Sequence, residues 1–265
     1  MKLVHDLEHD LEHTIPPVGG ADSAYLFARM TARSLALTTV RPGQRMLDLG
    51  SGMGQDTRAL AVGDPAGRAV GLEPSARMMG WAAAQPDAGA VWWVRGLAEE
   101  LPFADGSFDA VLCKGALDHF MQPPAVMAEV ARVLRPGGRL TLALANYDSW
   151  SCRLGRLRDG GRGHRTDGAG TDNTPAGDGG HPYYEPPPDH LTRFGHRDIM
   201  ALVAAPLTIE RVEGISLLWG FPPWGRLLAR LPAPPARGLV AAAGALARRL
   251  PHAADVVLLR ARKAA

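Results

Sequence analysis

The chain has 265 residues, and its 29 basic and 27 acidic residues leave a formal charge of +2 with histidine neutral. No nucleic-acid-sized basic patch follows from that near balance, and at this length the chain suits one α/β domain carrying a cap or insertion better than two independent domains. The only cysteines, Cys113 and Cys152, form neither a CxxC pair nor a Cys/His cluster, so a reducing cytoplasm is expected rather than a disulfide framework or a zinc site.

The first segment, "MKLVHDLEHDLEHTIPP", alternates charge and leucine where a secretory signal needs an uninterrupted apolar stretch, and no run of about 18 apolar residues follows. His5, His9 and His13 have a spacing that can bind metal on a helix. The neighbouring acids and the Leu3, Leu7 and Leu11 stripe explain the pattern as ion pairing and packing, so no metal ligand is assigned. Residues 1–40 read as an N-terminal helical cap, with Asp22 or Ser23 as N-cap before Leu26, Phe27, Met30, Leu35 and Leu37 at helical spacing. From 41 onward, apolar runs suited to buried parallel strands alternate with helical patterns. The order is "RMLDLG", helix 55–63, "RAVGLEP", helix 75–85, "VWWVRGL", "FDAVLCKG", helix 123–134 and "RLTLALA". This alternation specifies a Rossmann-like, doubly wound α/β sheet. Residues 151–182 hold little to bury and read as a flexible insertion after the fifth strand. Strands at "LTIERVEG" and "DVVLLRARK" then enclose an apolar cap over 215–251, broken by prolines.

"RMLDLGSGMGQ" (45–55) packs Gly50, Gly52 and Gly54 behind the first strand, where a ligand can touch bare backbone. A P-loop needs a lysine and a hydroxyl residue after the glycines, but Gln55 and Asp56 stand there; a dinucleotide fingerprint needs glycine at 55. An adenosyl ligand without phosphates remains. Glu73, ending the next strand in "GLEP", is a carboxylate suited to both ribose hydroxyls.

"LDLGSGMGQ", "GLEPSARMM", "GLAEELPFADGSFDAVLCKGALDHF" and "EVARVLRPGGRLTLA" together resemble the class I S-adenosylmethionine-dependent methyltransferases. The likeness is to the small-molecule branch related to ubiquinone and menaquinone C-methyltransferases. It implies a seven-stranded sheet with the last strand antiparallel, and S-adenosylmethionine as cofactor. Gly50, Ser51, Gly52, Gly54 and Gln55 would pass under the methionine part, with Asp48 steadying the loop. Glu73 and Pro74 would border the ribose, and Met78, Leu97 and Ala98 the adenine; Leu97 stands where the family usually has an aspartate that accepts from the adenine amine. Lys114 and Gly115 match positions beside the methionine moiety, and Tyr25 and Arg29 either close over the cofactor's carboxylate or simply pack.

Methyl transfer from a sulfonium needs alignment and exclusion of water, and a base only where the acceptor must lose a proton. His119 in "LDHF", beside Asp118, is the preferred base. His181 and Tyr184, within a polar and aromatic group that also contains Tyr183, Glu185 and His190, are further catalytic candidates on a closing segment. Trp219, Phe221 and Trp224 in the late apolar cap suggest a small hydrophobic acceptor such as a quinone or lipid-like metabolite. Arg226, Arg230, Arg248 and Arg249 flank the same segment, which is read first as internal packing and second as a peripheral membrane contact. No nucleic-acid substrate is expected. The alternative is an S-adenosylmethionine-binding protein that uses the fold for non-methylating chemistry such as cyclisation.

Overall fold

The computed structural model describes residues 20–38, 41–62, 69–86, 91–159, 182–187 and 190–265. Its strands are β1 (Met46–Leu49), β2 (Ala69–Leu72), β3 (Val91–Val94), β4 (Phe108–Lys114), β5 (Leu134–Ala145), β6 (Thr208–Ile215) and β7 (Val256–Arg262). They form one seven-stranded sheet in the order β3-β2-β1-β4-β5-β7-β6. β1 to β5 are parallel to one another, and β7 runs antiparallel to both β5 and β6. Every residue of β1 and β2 is buried, as apolar runs covered on both faces require.

Between the strands lie α2 (Gln55–Ala61), α3 (Ala76–Ala83) and α4 (Pro123–Val133). α4 buries Val126, Met127, Val130 and Val133 on one face, and the core continues from them through Leu47, Val111, Leu140 and Leu142 of the strands. Because strand order reverses between β1 and β4, the loops at their carboxyl ends diverge and open a crevice there. Everything that follows sits on that crevice.

α1 (Gly20–Leu37) packs with α7 (Pro222–Arg230) and α8 (Ala233–Ala247). It is tied to β6 by Arg33, whose Nη2 donates to Glu213 Oε1 at 2.6 Å and whose Nε donates to Oε2 at 3.1 Å. Asp22 and Ser23 lie inside α1 rather than capping it, because the Ser23 hydroxyl is used in a tertiary contact, accepting from Trp219 Nε1 at 3.0 Å. The insertion expected over 151–182 opens instead with a helix, α5 (Trp150–Arg158), capped by Ser149 Oγ accepting from the Cys152 N–H. Its buried face, Ser151, Cys152 and Gly155, meets Tyr183 and Tyr184, a contact that residue composition does not reveal. α6 (His196–Ala204) completes the helices of the described residues. In the late cap, Trp224 packs with Leu228, Ala236, Val240 and Tyr25, and Trp219 meets Phe27 edge-on at 6.4 Å. These tryptophans are occupied by internal packing. Among the described residues no helix is long and apolar enough to cross a membrane.

Candidate active site

After Leu49 the chain turns through Gly50, Gly52 and Gly54, with φ of 72°, 53° and 75°, a left-handed region that favours glycine. The Gly50 and Ser51 N–H groups donate to the Leu72 carbonyl at 2.9 and 3.0 Å, which clamps the turn onto the end of β2. The three glycines have different physical reasons. A Cβ at Gly50 would come 2.6 Å from Ala116 Cβ, and one at Gly54 would overlap the Trp93 ring, but at Gly52 the nearest neighbour is Met78 Sδ at 3.7 Å. Gly50 and Gly54 therefore serve the protein's own packing, and Gly52 leaves the bare backbone that a ligand would use.

Glu73 connects this turn to the next strand. Its Oε2 accepts from the Gly52 N–H and its Oε1 from the Ser75 N–H, each at 2.9 Å, while Ser75 Oγ caps α3 by accepting from the Met78 N–H at 3.1 Å. An ionised carboxylate has about four acceptor positions, so these backbone bonds are compatible with ribose hydroxyls at the same group. Asp48 is buried beneath the turn, accepting from Thr57 Oγ1 at 2.6 Å. Burial, followed by the neighbouring Asp56 carboxylate, pushes its pKa up to about 7. Lys114 Nζ lies 2.6 Å from Asp56 Oδ2 and donates to Thr31 Oγ1 at 2.8 Å, joining β4, α2 and α1.

Around this centre, Gln55 is the exposed first residue of α2, and the Pro74 carbonyl accepts from Arg95 Nε at 2.9 Å. Leu97 is exposed beside buried Ala98, and Gly115 turns the chain after β4 with φ 59°, its N–H donating to the Ala143 carbonyl. Tyr25 goes elsewhere. Its hydroxyl end packs against Gly244 of α8, and α1 reaches the crevice through Thr31, on a helix face about 120° away.

Beyond β4 a short 3-10 turn, Leu117–His119, brings Asp118 and His119 to the crevice, with Phe120 next to Gly50. The segment after 190 docks on this turn, the Thr192 N–H donating to the Asp118 carbonyl at 3.2 Å. His190 Nδ1 lies 3.0 Å from Asp118 Oδ2 and 3.0 Å from Tyr147 Oη, and its ring meets that of His119 edge-on at 4.4 Å. His190 and the nearby Asp118 carboxylate thus complete a cluster around His119, and hydrogen bonding to His190 holds the Asp118 carboxyl below its ordinary range despite burial. Tyr184 does not join it: its hydroxyl donates to Asp159 Oδ2 at 2.6 Å, and burial followed by that carboxylate pushes its pKa up to about 12. The tyrosine that does reach the cluster, Tyr147, was missed because it follows β5 in sequence with no motif to mark it. His181 lies outside the described residues.

A glycine turn and a strand-end acid at the switch point of a doubly wound sheet define a Rossmann-like fold with a crevice of the kind that takes a nucleoside-bearing ligand. Residues 47–142 match the family model of the methyltransferase domain. Demethylmenaquinone methyltransferase of Beutenbergia cavernae is 38% identical over 127 residues, which is 48% of this chain and 50% of that protein. The chain spans between 32% and 59% of the first curated relatives it matches. Among solved structures, the methyltransferase in complex with the Haloferax volcanii Trm112 activator has a TM-score of 0.58 at 22% identity, covering 89% of this chain and 90% of that one. The [4+2]-cyclase SpnF has a TM-score of 0.57 at 23% identity, covering 89% of this chain and 81% of that one. At these identities the structures share the fold.

The match to the methyltransferase domain implies S-adenosylmethionine as cofactor. The residues present fit it: no side chain covers the backbone at Gly52, the Glu73 carboxylate beside it keeps acceptor capacity, and the buried Ser51 Oγ has no hydrogen-bond partner among the described residues.

Proposed function

We propose that this chain transfers a methyl group from S-adenosylmethionine to an O, N or C atom of a small molecule. The observation that carries the reading is the Gly52–Glu73 bond at the switch point, with Phe120, the residue after His119, packed against Gly50 of the same turn. The cofactor supplies a methyl on a positively charged sulfur that departs as a neutral thioether, so no acid is needed for the leaving group. The chain's tasks are to position the acceptor in line with the methyl–sulfur bond and to exclude water. As the new bond to the acceptor forms, the methyl–sulfur pair stays on sulfur. Where the acceptor is a phenol, enol or activated carbon, its proton leaves at the cluster, with His119 as the accepting imidazole positioned beside Asp118. The demethylmenaquinone relative supports a hydrophobic acceptor.

The test is incubation of the purified chain with methyl-labelled S-adenosylmethionine and an extract of the source cells, with Glu73→Ala as control, followed by separation of organic-soluble, protein and nucleic-acid pools. Label entering the organic pool only with the intact chain is the expected result. Label confined to protein or nucleic acid overturns the acceptor class. Conversion of an acceptor in the presence of S-adenosylhomocysteine, with no methyl donor, overturns methyl transfer in favour of cyclase-type chemistry on the same fold.

A further inference from the structure

We propose that Asp118, His119 and His190 form a binding site for one divalent transition-metal ion, with Tyr147 at its edge. The sequence alone leads to no metal ligand set, because these ligands lie in two segments about seventy residues apart. The fold makes them neighbours: each offers one donor atom, and all three atoms lie within 4.8 Å of one another.

Two observations point to an ion rather than to a hydrogen-bonded dyad alone. Asp118 is 3% exposed at its side chain, and its Oδ1, 4.0 Å from His119 Nε2, is buried with no hydrogen-bond partner among the described residues. On the other side, His190 Nδ1 is approached at 3.0 Å by both Asp118 Oδ2 and Tyr147 Oη. One ring nitrogen carries either one proton or one lone pair, so it cannot make a full, linear hydrogen bond to a carboxylate and a phenol at once. A cation at this point draws on the nitrogen and the carboxylate together.

The distances suit such an ion. Two ligands each about 2.1 Å from Zn²⁺ stand roughly 3.0 Å apart at a right angle and 3.4 Å apart in a tetrahedron. The His190–Asp118 pair, 3.0 Å apart, already has the right-angle spacing, and the His119 donor, within 4.8 Å of the other two, closes to ligand spacing by a shift of at most roughly 1.5–2 Å. Two imidazoles and one carboxylate are a ligand set for Zn²⁺, Fe²⁺, Co²⁺ or Ni²⁺ rather than for Mg²⁺ or Ca²⁺. Three protein ligands leave a position open, and the cluster faces the crevice beside Gly50 through Phe120. On the proposed methyl transfer, which this part of the inference rests on, the ion favours acceptors that present a hydroxyl or enol oxygen, because it lowers the pKa of such an oxygen; with the ion bound this replaces proton acceptance by His119, which serves as base in the metal-free site.

The full chain is stripped with a chelator and titrated with Co²⁺, read by visible ligand-field absorption, and with Zn²⁺, read by calorimetry. One equivalent is expected, with affinity falling about 100-fold in His190→Ala and in His119→Ala, and 10- to 100-fold in Tyr147→Phe. Circular dichroism and S-adenosylhomocysteine binding verify that the variants remain folded. A triple variant of His5, His9 and His13 to alanine is expected to retain the equivalent. Absence of saturable binding, retention in both His190→Ala and His119→Ala, or loss in the triple variant overturns the site. Because the readout is metal binding, a bound ion with no methyl transfer would defeat the proposed function and leave the site standing.

Discussion

Replacing Gly54 with alanine tests whether the glycine turn is shaped by the protein's own packing. The residue sits at φ 75°, and its new Cβ would overlap Trp93 Cη2, approach Cζ3 at 2.8 Å and meet Ala82 Cβ at 3.0 Å. A left-handed conformation costs a non-glycine residue about 1–2 kcal/mol, and overpacking of this kind adds about 1–3 kcal/mol. The expected loss is therefore roughly 2–5 kcal/mol, a large share of the 5–15 kcal/mol typical of a folded domain. Chemical denaturation of Gly54→Ala, Trp93→Leu and the double variant separates the contributions. In the Trp93→Leu background the steric cost is relieved and only about 1–2 kcal/mol should remain from the backbone. An equal cost of Gly54→Ala in both backgrounds would refute the packing account and leave ligand approach as the reason for glycine.

Glu73→Gln should weaken S-adenosylhomocysteine binding about 10- to 100-fold, since bonds to a charged acceptor contribute about 1.5–3 kcal/mol, measured by calorimetry. Asp255 is fully buried, accepting from Ser151 Oγ at 2.6 Å and the Trp219 N–H at 2.9 Å, and burial pushes its pKa up to about 6 from an ordinary 3.8. Because its folded pKa is raised, its contribution favours the fold at low pH and is lost as pH rises from about 4 through about 6. Stability should fall over that window by up to about 3 kcal/mol on this account, and Asp255→Asn should flatten that part of the profile; an unchanged profile counts against the assignment. Tyr184→Phe removes only a hydrogen bond to Asp159, so stability should drop by about 1 kcal/mol while methyl-transfer turnover stays within a factor of two; a turnover loss of about 100-fold would return Tyr184 to the chemistry.

Much of the framework was legible because local patterns carry it. Continuous apolar runs such as "MLDL" and "AVGL" can only be strands covered on both faces, and alternation with amphipathic segments such as Val126 to Val133 requires parallel crossovers. Glu73 was legible for the same reason, as a charge ending a buried strand beside a glycine turn. The opposite failure occurred where residue type was read without its neighbours: a glycine, aspartate and arginine-rich stretch concealed α5, and Tyr25, Trp219 and Trp224 suggested ligand contact but are used in helix packing.

The order of the elements and the position of the glycine turn after β1 follow from local sequence, because periodicity and turn chemistry act over a few residues. Only the tertiary structure decided why Gly54 must be glycine, which residue of α1 meets Lys114, and that His190 and Tyr147 gather around Asp118 and His119. Those meetings join segments from different loops, and their geometry is set by how the helices and the sheet pack, which no local pattern records.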